Sequence, residues 1–317
     1  MNLPFLPEPA SALAPRYDSL FVAMTVLTST VALLVIALML LFAYRYRRGA
    51  VVDRVRAPPA EREQIRRRIE IAWIALPLLF FVAAFGWAAA LYFDRSSPPA
   101  GALEVAVVAK QWMWTLEHAT GQREIDQLHV PVNVPVKLVM TSQDAIHSFF
   151  VPAFRVKQDV LPGRYTVLWF TATRTGDFDL FCAEYCGTDH ARMFGHVIAL
   201  EPPQYQRWLD AHGDPTMAMR GEALFRQFGC SGCHGANAAV HAPSLDGLYG
   251  RPVPLADGTM VMADDRYIRD SILVPRKEVA AGYAPIMPSF AGQIGEADIL
   301  DLIAYIRHRA DAETPVR

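Results

Sequence analysis

Four side chains that bind soft metal ions lie in one short stretch between Phe181 and Met193. Cys182, Cys186, His190 and Met193 supply two thiols, an imidazole and a thioether. Ligands of this kind favour copper and disfavour magnesium or calcium. Two cysteines separated by three residues can both bridge a pair of metal ions, and a two-copper site then requires a second imidazole from elsewhere. Without it, a mononuclear site remains an alternative.

The best candidate for the second imidazole is His147, which stands at the start of a predicted strand among apolar residues. An isolated histidine in that setting is more often structural than a ligand. His118 and His129 lie in polar, turn-like segments, and His196 follows a glycine at the start of another predicted strand. Spacing alone excludes none of the four.

A second pair of cysteines forms the motif Cys230-Ser-Gly-Cys233-His234, which is typical of covalent c-type haem attachment. Thiols at this spacing add to the two vinyl groups of the haem, and the adjacent histidine is placed to bind the iron. A disulfide is the alternative, but so short a loop is awkward to close. The candidates for the sixth iron ligand are Met217, Met219, His241, Met260, Met262 and Met287.

Composition indicates that these sites belong to a membrane-anchored chain. The 317 residues are enough for two or three domains. Hydrophobic residues make up 52% and charged residues 20%, proportions that indicate membrane segments rather than one soluble core. The net charge of −2 argues against a nucleic-acid partner.

Two charge-free runs predict a transmembrane hairpin over residues 19–93, preceded by a proline-rich, extended tail over residues 1–18. The first helix is expected at about 19–44 and the second at about 71–93, each long enough to cross a bilayer at about 1.5 Å per residue. Pro77 would break a soluble helix but is tolerated in a membrane helix. These lengths disfavour the alternative of two buried soluble helices.

The distribution of arginine predicts the orientation of the hairpin. Its outer flanks carry only Arg16 and Arg95, whereas the connecting loop is strongly basic. The arginines of the loop are Arg45, Arg47, Arg48, Arg54, Arg56, Arg62, Arg66, Arg67 and Arg68. Because cytoplasmic loops are enriched in such residues, the loop is expected in the cytoplasm and both termini outside. No cleavable signal peptide is expected.

The rest of the chain predicts two further domains joined by linkers. Residues 94–102 are rich in Ser, Pro and Gly and predict a linker. A β-sandwich or small barrel is expected over 103–201, because short β-type runs alternate with turn signals. A second linker, 202–216, leads to a small, mostly helical domain over 217–311, and 312–317 are a tail. The predicted strands are 103–108, 111–117, 136–141, 147–151, 165–170, 178–181 and 196–200.

Three segments of the predicted sandwich resemble subunit II of cytochrome c oxidase. They are His147-Ser-Phe-Phe-Val-Pro, Lys157-Gln-Asp-Val-Leu-Pro-Gly-Arg164 and Phe181-Cys-Ala-Glu-Tyr-Cys-Gly-Thr-Asp-His-Ala-Arg-Met193. The resemblance implies a cupredoxin fold that holds a dinuclear, mixed-valence copper centre. The copper ligands implied by motif position are His147, Cys182, Cys186, His190, Met193 and the backbone carbonyl of Glu184. In this family the Glu184 side chain is also used toward a magnesium ion shared with subunit I.

The resemblance extends upstream to two further residues. Gln111-Trp-Met-Trp114 resembles an aromatic segment of the family whose first tryptophan lies on the path of incoming electrons, and this implies that role for Trp112. Met113 stands where the family usually has an aromatic residue. Glu70 matches a glutamate near the mouth of a proton-uptake channel in subunit I.

The C-terminal domain resembles a class I cytochrome c. In that family the axial methionine often lies in a Met-Pro pair, and Met287 is followed by Pro288 and the last predicted helix. The resemblance therefore implies Met287 as the sixth ligand of haem c, with Met260 and Met262 as alternates.

These expectations combine into a multidomain chain with a two-helix transmembrane hairpin, an all-β cupredoxin-like sandwich and a mostly α cytochrome c domain. The resemblance implies subunit II of a terminal haem–copper oxidase in a bacterial plasma membrane. Electrons from reduced cytochrome c or another periplasmic donor are expected to pass through haem c and two copper ions to haem a of subunit I, where oxygen is reduced with proton pumping. Further oxidase subunits and lipid are the other expected partners. The alternatives are the small subunit of a nitric oxide reductase and a stand-alone membrane-anchored electron carrier.

Overall fold

The computed structural model describes residues 6–49, 59–212, 216–235 and 242–311. It divides into two compact units, one with residues 13–97 and the other with the segment before it and everything from residue 98 onward. Arg54, Arg56, His241 and the predicted tail at 312–317 lie outside the described residues.

Two long helices form the first unit. Helix α1 spans Ala14–Arg45 and helix α2 spans Pro59–Ser96, so each is longer than the sequence predicts. A proline in the first turn of α1 suits the helix start, because the N–H that it lacks has no partner there. Both helices are long and apolar enough to cross a membrane, and Pro77 lies inside α2. The predicted pair of apolar helices is confirmed.

The described residues before α1 belong to the second unit, and the last of them pack against other residues of that unit. Ala10 is fully buried, its N–H donates to the carbonyl of Ala153 at 2.9 Å, and its own carbonyl accepts from the N–H of Thr173 at 2.9 Å. The Ser11 hydroxyl donates to the carbonyl of Phe154 at 2.7 Å. Small side chains permit this close approach.

Two five-stranded sheets form the predicted sandwich, and the all-β prediction is confirmed. The strands are β1 (Leu103–Lys110), β2 (Met113–His118), β3 (Arg123–Ile125), β4 (Gln127–Pro131), β5 (Pro135–Ser142), β6 (His147–Val151), β7 (Val156–Val160), β8 (Thr166–Thr171), β9 (Gly176–Cys182) and β10 (Phe194–Leu200). One sheet has the order β3-β2-β1-β5-β8 and the other β4-β10-β9-β6-β7. Every predicted strand is present, and β3, β4 and β7 are additional.

Strand β1 is buried on both faces. Val105, Val107 and Ala109 point into the core of the sandwich, whereas Ala106 and Val108 belong to a second apolar cluster shared with the helical domain. This double burial explains why β1 is apolar almost throughout. In β9, by contrast, buried and exposed residues alternate.

The C-terminal region is mostly helical, as predicted. Its elements are α3 (Pro202–Ala211), α4 (Met217–Gln227), α5 (Ser231–His234), β11 (Pro252–Pro254), β12 (Met260–Met262), α6 (Asp265–Leu273) and α7 (Glu296–Asp311). Ile299, Leu302 and Ile306 of α7 lie in the core of this domain. Helices α4 and α7 cross closely at Gly221, where a Cβ would clash with the carbonyl oxygen of Asp301.

Helix α7 also packs against the sandwich. Leu300 is buried in the cluster of Ala106 and Val108, and Ala297 and Ala304 pack against it. These residues recur at helical spacing on the face opposite the domain core. The small alanines let the helix lie close to β1.

Three arginines of the helical domain form hydrogen bonds or ion pairs with residues of the sandwich. Arg307 binds Glu104 of β1 at 2.6 Å and Asp265 at 2.8 Å. Although burial opposes ionisation of Glu104, Arg307 and Lys137 together lower the pKa of this carboxyl. The ion pairs therefore hold a charged carboxylate within the contact.

The other two arginines act in the same way. Arg269 donates to the carbonyl of Gly163 at 3.2 Å and to Glu296 at 3.1 Å. Arg220 donates to Asp301 at 3.0 Å and also pairs with Glu117 of β2. Each arginine thus joins an acidic residue of its own domain to an acceptor in the sandwich.

Candidate metal centre and haem pocket

The strand ends of one sheet bring the predicted sulfur and nitrogen ligands together. Strand β9 ends at Cys182, the following loop carries Cys186, and β6 begins at His147. The Sγ atoms of the two cysteines are 3.8 Å apart, and Nδ1 of His147 is 3.9 Å from Sγ of Cys182. All three residues are buried, and their ligand atoms lie within 4.8 Å of one another.

The remaining ligand candidates surround the same pair of sulfur atoms. Nδ1 of His190 is 3.4 Å and Sδ of Met193 is 3.8 Å from Sγ of Cys186. The carbonyl oxygen of Glu184 lies 3.2 Å from Sγ of Cys182. The donor set thus has two central sulfurs with one imidazole on each side, and its chemistry fits a pair of copper ions.

Asp144, which the sequence analysis did not single out, holds His147. Its Oδ1 lies 2.9 Å from Nε2 of His147. A carboxylate on one ring nitrogen fixes the tautomer and leaves the other nitrogen free to bind metal. In the sequence, the only indication of this contact is that Asp144 lies three residues before His147.

Two side chains from the loop between β1 and β2 contact the carbonyl oxygen of Cys186. Nε2 of Gln111 donates to it at 2.7 Å, and the indole N–H of Trp112 donates to it at 3.3 Å. Trp112 is half-buried against the sandwich core. Trp114 is fully buried and stands edge-on to the ring of His147, with the centroids 6.1 Å apart.

The two cysteines differ in acidity when no metal is bound. Burial disfavours the thiolate of Cys182, but the contacts with His147, Glu184, Ser148 and Cys186 together outweigh it and lower the pKa of Cys182 to about 6. Burial and the charge on Cys182 raise the pKa of Cys186 to about 12. Metal binding therefore has to displace the proton of Cys186, which makes metal affinity dependent on pH.

The histidines considered as alternative ligands lie in other networks. His118 and His129 contact the two carboxylate oxygens of Glu124, at 3.0 Å and 2.5 Å. His196 contacts Asp177 at 2.9 Å. Of the four candidates, the structure brings only His147 to the cysteines among the residues that it describes.

A cavity of about 440 Å³ in the helical domain is lined by Cys230, Cys233 and His234. Most of its remaining wall is apolar, with Phe225, Ile268, Ile272, Phe290, Leu302 and Ile306 among the lining side chains. Nδ1 of His234 lies 2.9 Å from the carbonyl oxygen of Pro243, which leaves Nε2 for a metal ion. An apolar pocket with two thiols and a held imidazole fits a covalently attached haem.

Met287 lines this cavity, whereas Met260 and Met262 do not. The last two lie on β12 with 61% and 50% of their surface exposed. Met219 is also exposed, and Met217 is buried in the cluster shared with the sandwich.

Two predicted functional carboxylates lie on exposed surfaces. Glu70 is on α2 and pairs with Arg66 at 2.6 Å. The side chain of Glu184 is exposed in the loop that carries the cysteines.

Comparison with known proteins finds a family match in each of the two domains. Residues 118–200 match the family profile "Cytochrome C oxidase subunit II, periplasmic domain", and residues 218–310 match "Cytochrome c". The chain is 26% identical over 309 residues to cytochrome c oxidase subunit 2 of Alkalihalophilus pseudofirmus, covering 92% of this chain and 86% of the relative. It is 30% identical over 172 residues to cytochrome c oxidase subunit 2 of Metridium senile, covering 46% of this chain and 68% of the relative.

The chain belongs to the cytochrome c oxidase subunit II family. This subunit II carries a cytochrome c domain after the domain that matches the subunit II periplasmic profile. A solved structure, the periplasmic domain of subunit II of cytochrome oxidase of Bradyrhizobium japonicum, is 30% identical, with a TM-score of 0.35, covering 37% of this subunit and 96% of that chain.

Proposed function

We propose that this subunit II accepts electrons at a haem c in its C-terminal domain and passes them through a dinuclear copper centre to subunit I of a terminal oxidase. Haem iron and copper, when bound, each take up and release one electron at a time. The observation that carries the proposal is the presence, in one chain, of the buried His147–Cys182–Cys186 cluster and of the apolar cavity beside Cys230, Cys233 and His234.

The proposed copper ligands are His147, Cys182, Cys186, His190, Met193 and the carbonyl of Glu184. The sandwich holds them on two strand ends and one short loop, and Asp144 orients His147 through its outer nitrogen. A rigid support of this kind suits electron transfer, because the site needs little rearrangement when its charge changes. The proposed haem ligands are His234 and Met287, with the thioether bonds at Cys230 and Cys233.

The remaining roles are also proposals. Trp112 would receive electrons on the side of Cys186, and Glu184 would share a magnesium ion with subunit I. Glu70 would lie near the mouth of a proton channel in subunit I, which would carry out oxygen reduction and proton pumping. The arginine-rich loop supports a cytoplasmic position for the residues between α1 and α2, with both redox domains on the periplasmic side.

Metal analysis of paired variants tests this proposal. In the purified complex we expect two coppers and one haem c per chain. Cys186→Ser should abolish the absorption of the copper pair and leave haem c intact, whereas Cys230→Ser should impair covalent haem attachment and leave the copper pair intact. A Cys186→Ser variant with an unchanged copper spectrum contradicts the ligand assignment. A fully loaded chain that purifies without an oxidase supports the stand-alone carrier instead.

A further inference from the structure

We propose that Gln111 is a positioning residue of the copper centre, which ties the Cys186 half of the site to the His147 half. The inference rests on the function proposed above and concerns how the chain holds the two sides of that site at a fixed spacing. It comes from a set of hydrogen bonds that involve the backbone and the side chain of one residue.

The backbone of Gln111 is fixed on the His147 side. Its N–H donates to Oδ2 of Asp144 at 2.8 Å, and the other oxygen of the same carboxylate holds Nε2 of His147 at 2.9 Å. Asp144 also accepts from the N–H of Ala145 at 2.6 Å, so the carboxylate has little freedom to turn. A shift of Gln111 would therefore move Asp144 and change the position of the His147 ring.

The side chain of Gln111 is fixed on the other side. Nε2 donates to the carbonyl oxygen of Cys186 at 2.7 Å, which is short for a hydrogen bond between neutral groups. The same oxygen accepts from the indole of Trp112 at the longer distance of 3.3 Å. The carbonyl belongs to Cys186, whose Sγ contacts His190 and Met193, so these hydrogen bonds help to hold the backbone that carries that sulfur.

Gly187 provides the space for these contacts. A Cβ at this position would lie 3.0 Å from Nε2 of Gln111 and 3.3 Å from the ring of Trp112. Its φ of 120° is also one that other residues rarely adopt. The loop is thus shaped so that the amide of Gln111 can reach the peptide of Cys186.

Hydrogen bonds that orient metal ligands have measurable effects. Removal of such an outer contact typically weakens metal binding about 10–100-fold without removing a ligand. We therefore expect Gln111 variants to keep the copper pair but bind it less tightly and with an altered electronic structure.

The test compares Gln111→Leu and Gln111→Glu with Gln143→Leu in the full-length subunit. The leucine removes both side-chain polar groups at similar size, and the glutamate keeps the length but replaces the amide donor. Gln143 is an exposed glutamine four residues before His147, and its side chain makes no hydrogen bond among the described residues. Copper affinity is measured by competition with a chelator, and the copper pair by its electron paramagnetic resonance spectrum. Haem c absorbance and thermal unfolding serve as checks on folding.

Both Gln111 variants should bind copper roughly 10–100-fold more weakly and show changed copper hyperfine splitting, with normal haem c and unfolding temperature. Gln143→Leu should match the wild type. Wild-type affinity and spectrum in either folded Gln111 variant overturn the proposal. If Gln111→Leu does not fold, the test rests on Gln111→Glu, which preserves the side-chain length. A wild-type chain that binds no copper pair would instead overturn the proposed function itself.

Discussion

His147 and His234 are each held by an oxygen acceptor on the ring nitrogen that faces away from the proposed metal. Asp144 holds His147 at 2.9 Å, and the carbonyl of Pro243 holds His234 at 2.9 Å. The acceptor fixes the tautomer and orients the ring before any metal binds. The motifs in the sequence identify the histidines, but these oxygen atoms are found only in the fold.

The sixth haem ligand can be tested at the level of one residue. Met287 lines the cavity beside His234, whereas Met260 is exposed on β12. Met287→Ala should abolish the low-spin, methionine-ligated haem signal in absorption and magnetic circular dichroism, and Met260→Ala should leave it unchanged. A retained signal in Met287→Ala would show that another residue is the sixth ligand.

Glu124 provides a test of pH-dependent stability. Burial disfavours its ionised form, but hydrogen bonds from His118 and His129 outweigh this effect and lower the pKa of the Glu124 carboxyl. A group with a lowered folded-state pKa stabilises the fold fully above its unfolded pKa of about 4.3 and loses this contribution as the pH falls through the folded-state pKa.

We therefore expect Glu124→Gln to lower the free energy of unfolding at pH 7 by about 1–3 kcal/mol. The difference from the wild type should shrink below about pH 4, where the wild-type carboxyl becomes protonated. Urea unfolding between pH 3 and 7 measures this difference, with Glu222→Gln on half-exposed α4 surface as the control. A difference that is constant across this range contradicts the assignment.

At the scale of elements, β1 and α7 each have two buried faces. For β1 this appears in the sequence as a nearly continuous apolar run, and for α7 as apolar residues on both sides of the helix. The short strands β3, β4 and β7 were not predicted, because a few residues with mixed polarity form a strand only when a neighbouring strand supplies the hydrogen bonds. Longer apolar strands could be predicted because burial imposes their pattern.

The contact between α4 and the sandwich gives a matched pair of variants. Arg220 pairs with Glu117 and Asp301, whose side chains are only 6% and 2% exposed. Arg226, on the same helix, pairs with Glu222, and the two side chains are 72% and 43% exposed. Arg220→Met leaves buried Asp301 without its cation and Glu117 with Arg123 alone, and it should lower the free energy of unfolding by roughly 3 kcal/mol.

Arg226→Met should change the free energy of unfolding by about 0.5 kcal/mol or less, because exposed ion pairs contribute little. Urea unfolding followed by haem absorbance compares the two variants. Equal effects of Arg220→Met and Arg226→Met would show that the buried acids do not depend on Arg220.

At the scale of the whole molecule, the arginine distribution predicts which side of the membrane each part occupies. A C-terminal tag should be removed by protease added to intact spheroplasts, because the haem domain is expected outside. A protease site placed in the loop between α1 and α2 should be cut only after the membrane is opened. The reverse pattern would contradict the predicted orientation.

The pair of apolar helices, the domain classes, the cysteine-rich loop and the haem-attachment motif can all be recognised in the sequence. Each of these depends on residues close together in the chain, where periodicity or spacing reports the structure directly. The fold brings His147 to Cys182 and Cys186, because β6 and β9 are distant in sequence but adjacent in one sheet. It also placed Asp144 and Gln111 around that site and joined the haem domain to the sandwich through buried ion pairs. Hydrogen bonds and ion pairs between remote residues have no periodic pattern in the sequence, so they become visible only once the chain is folded.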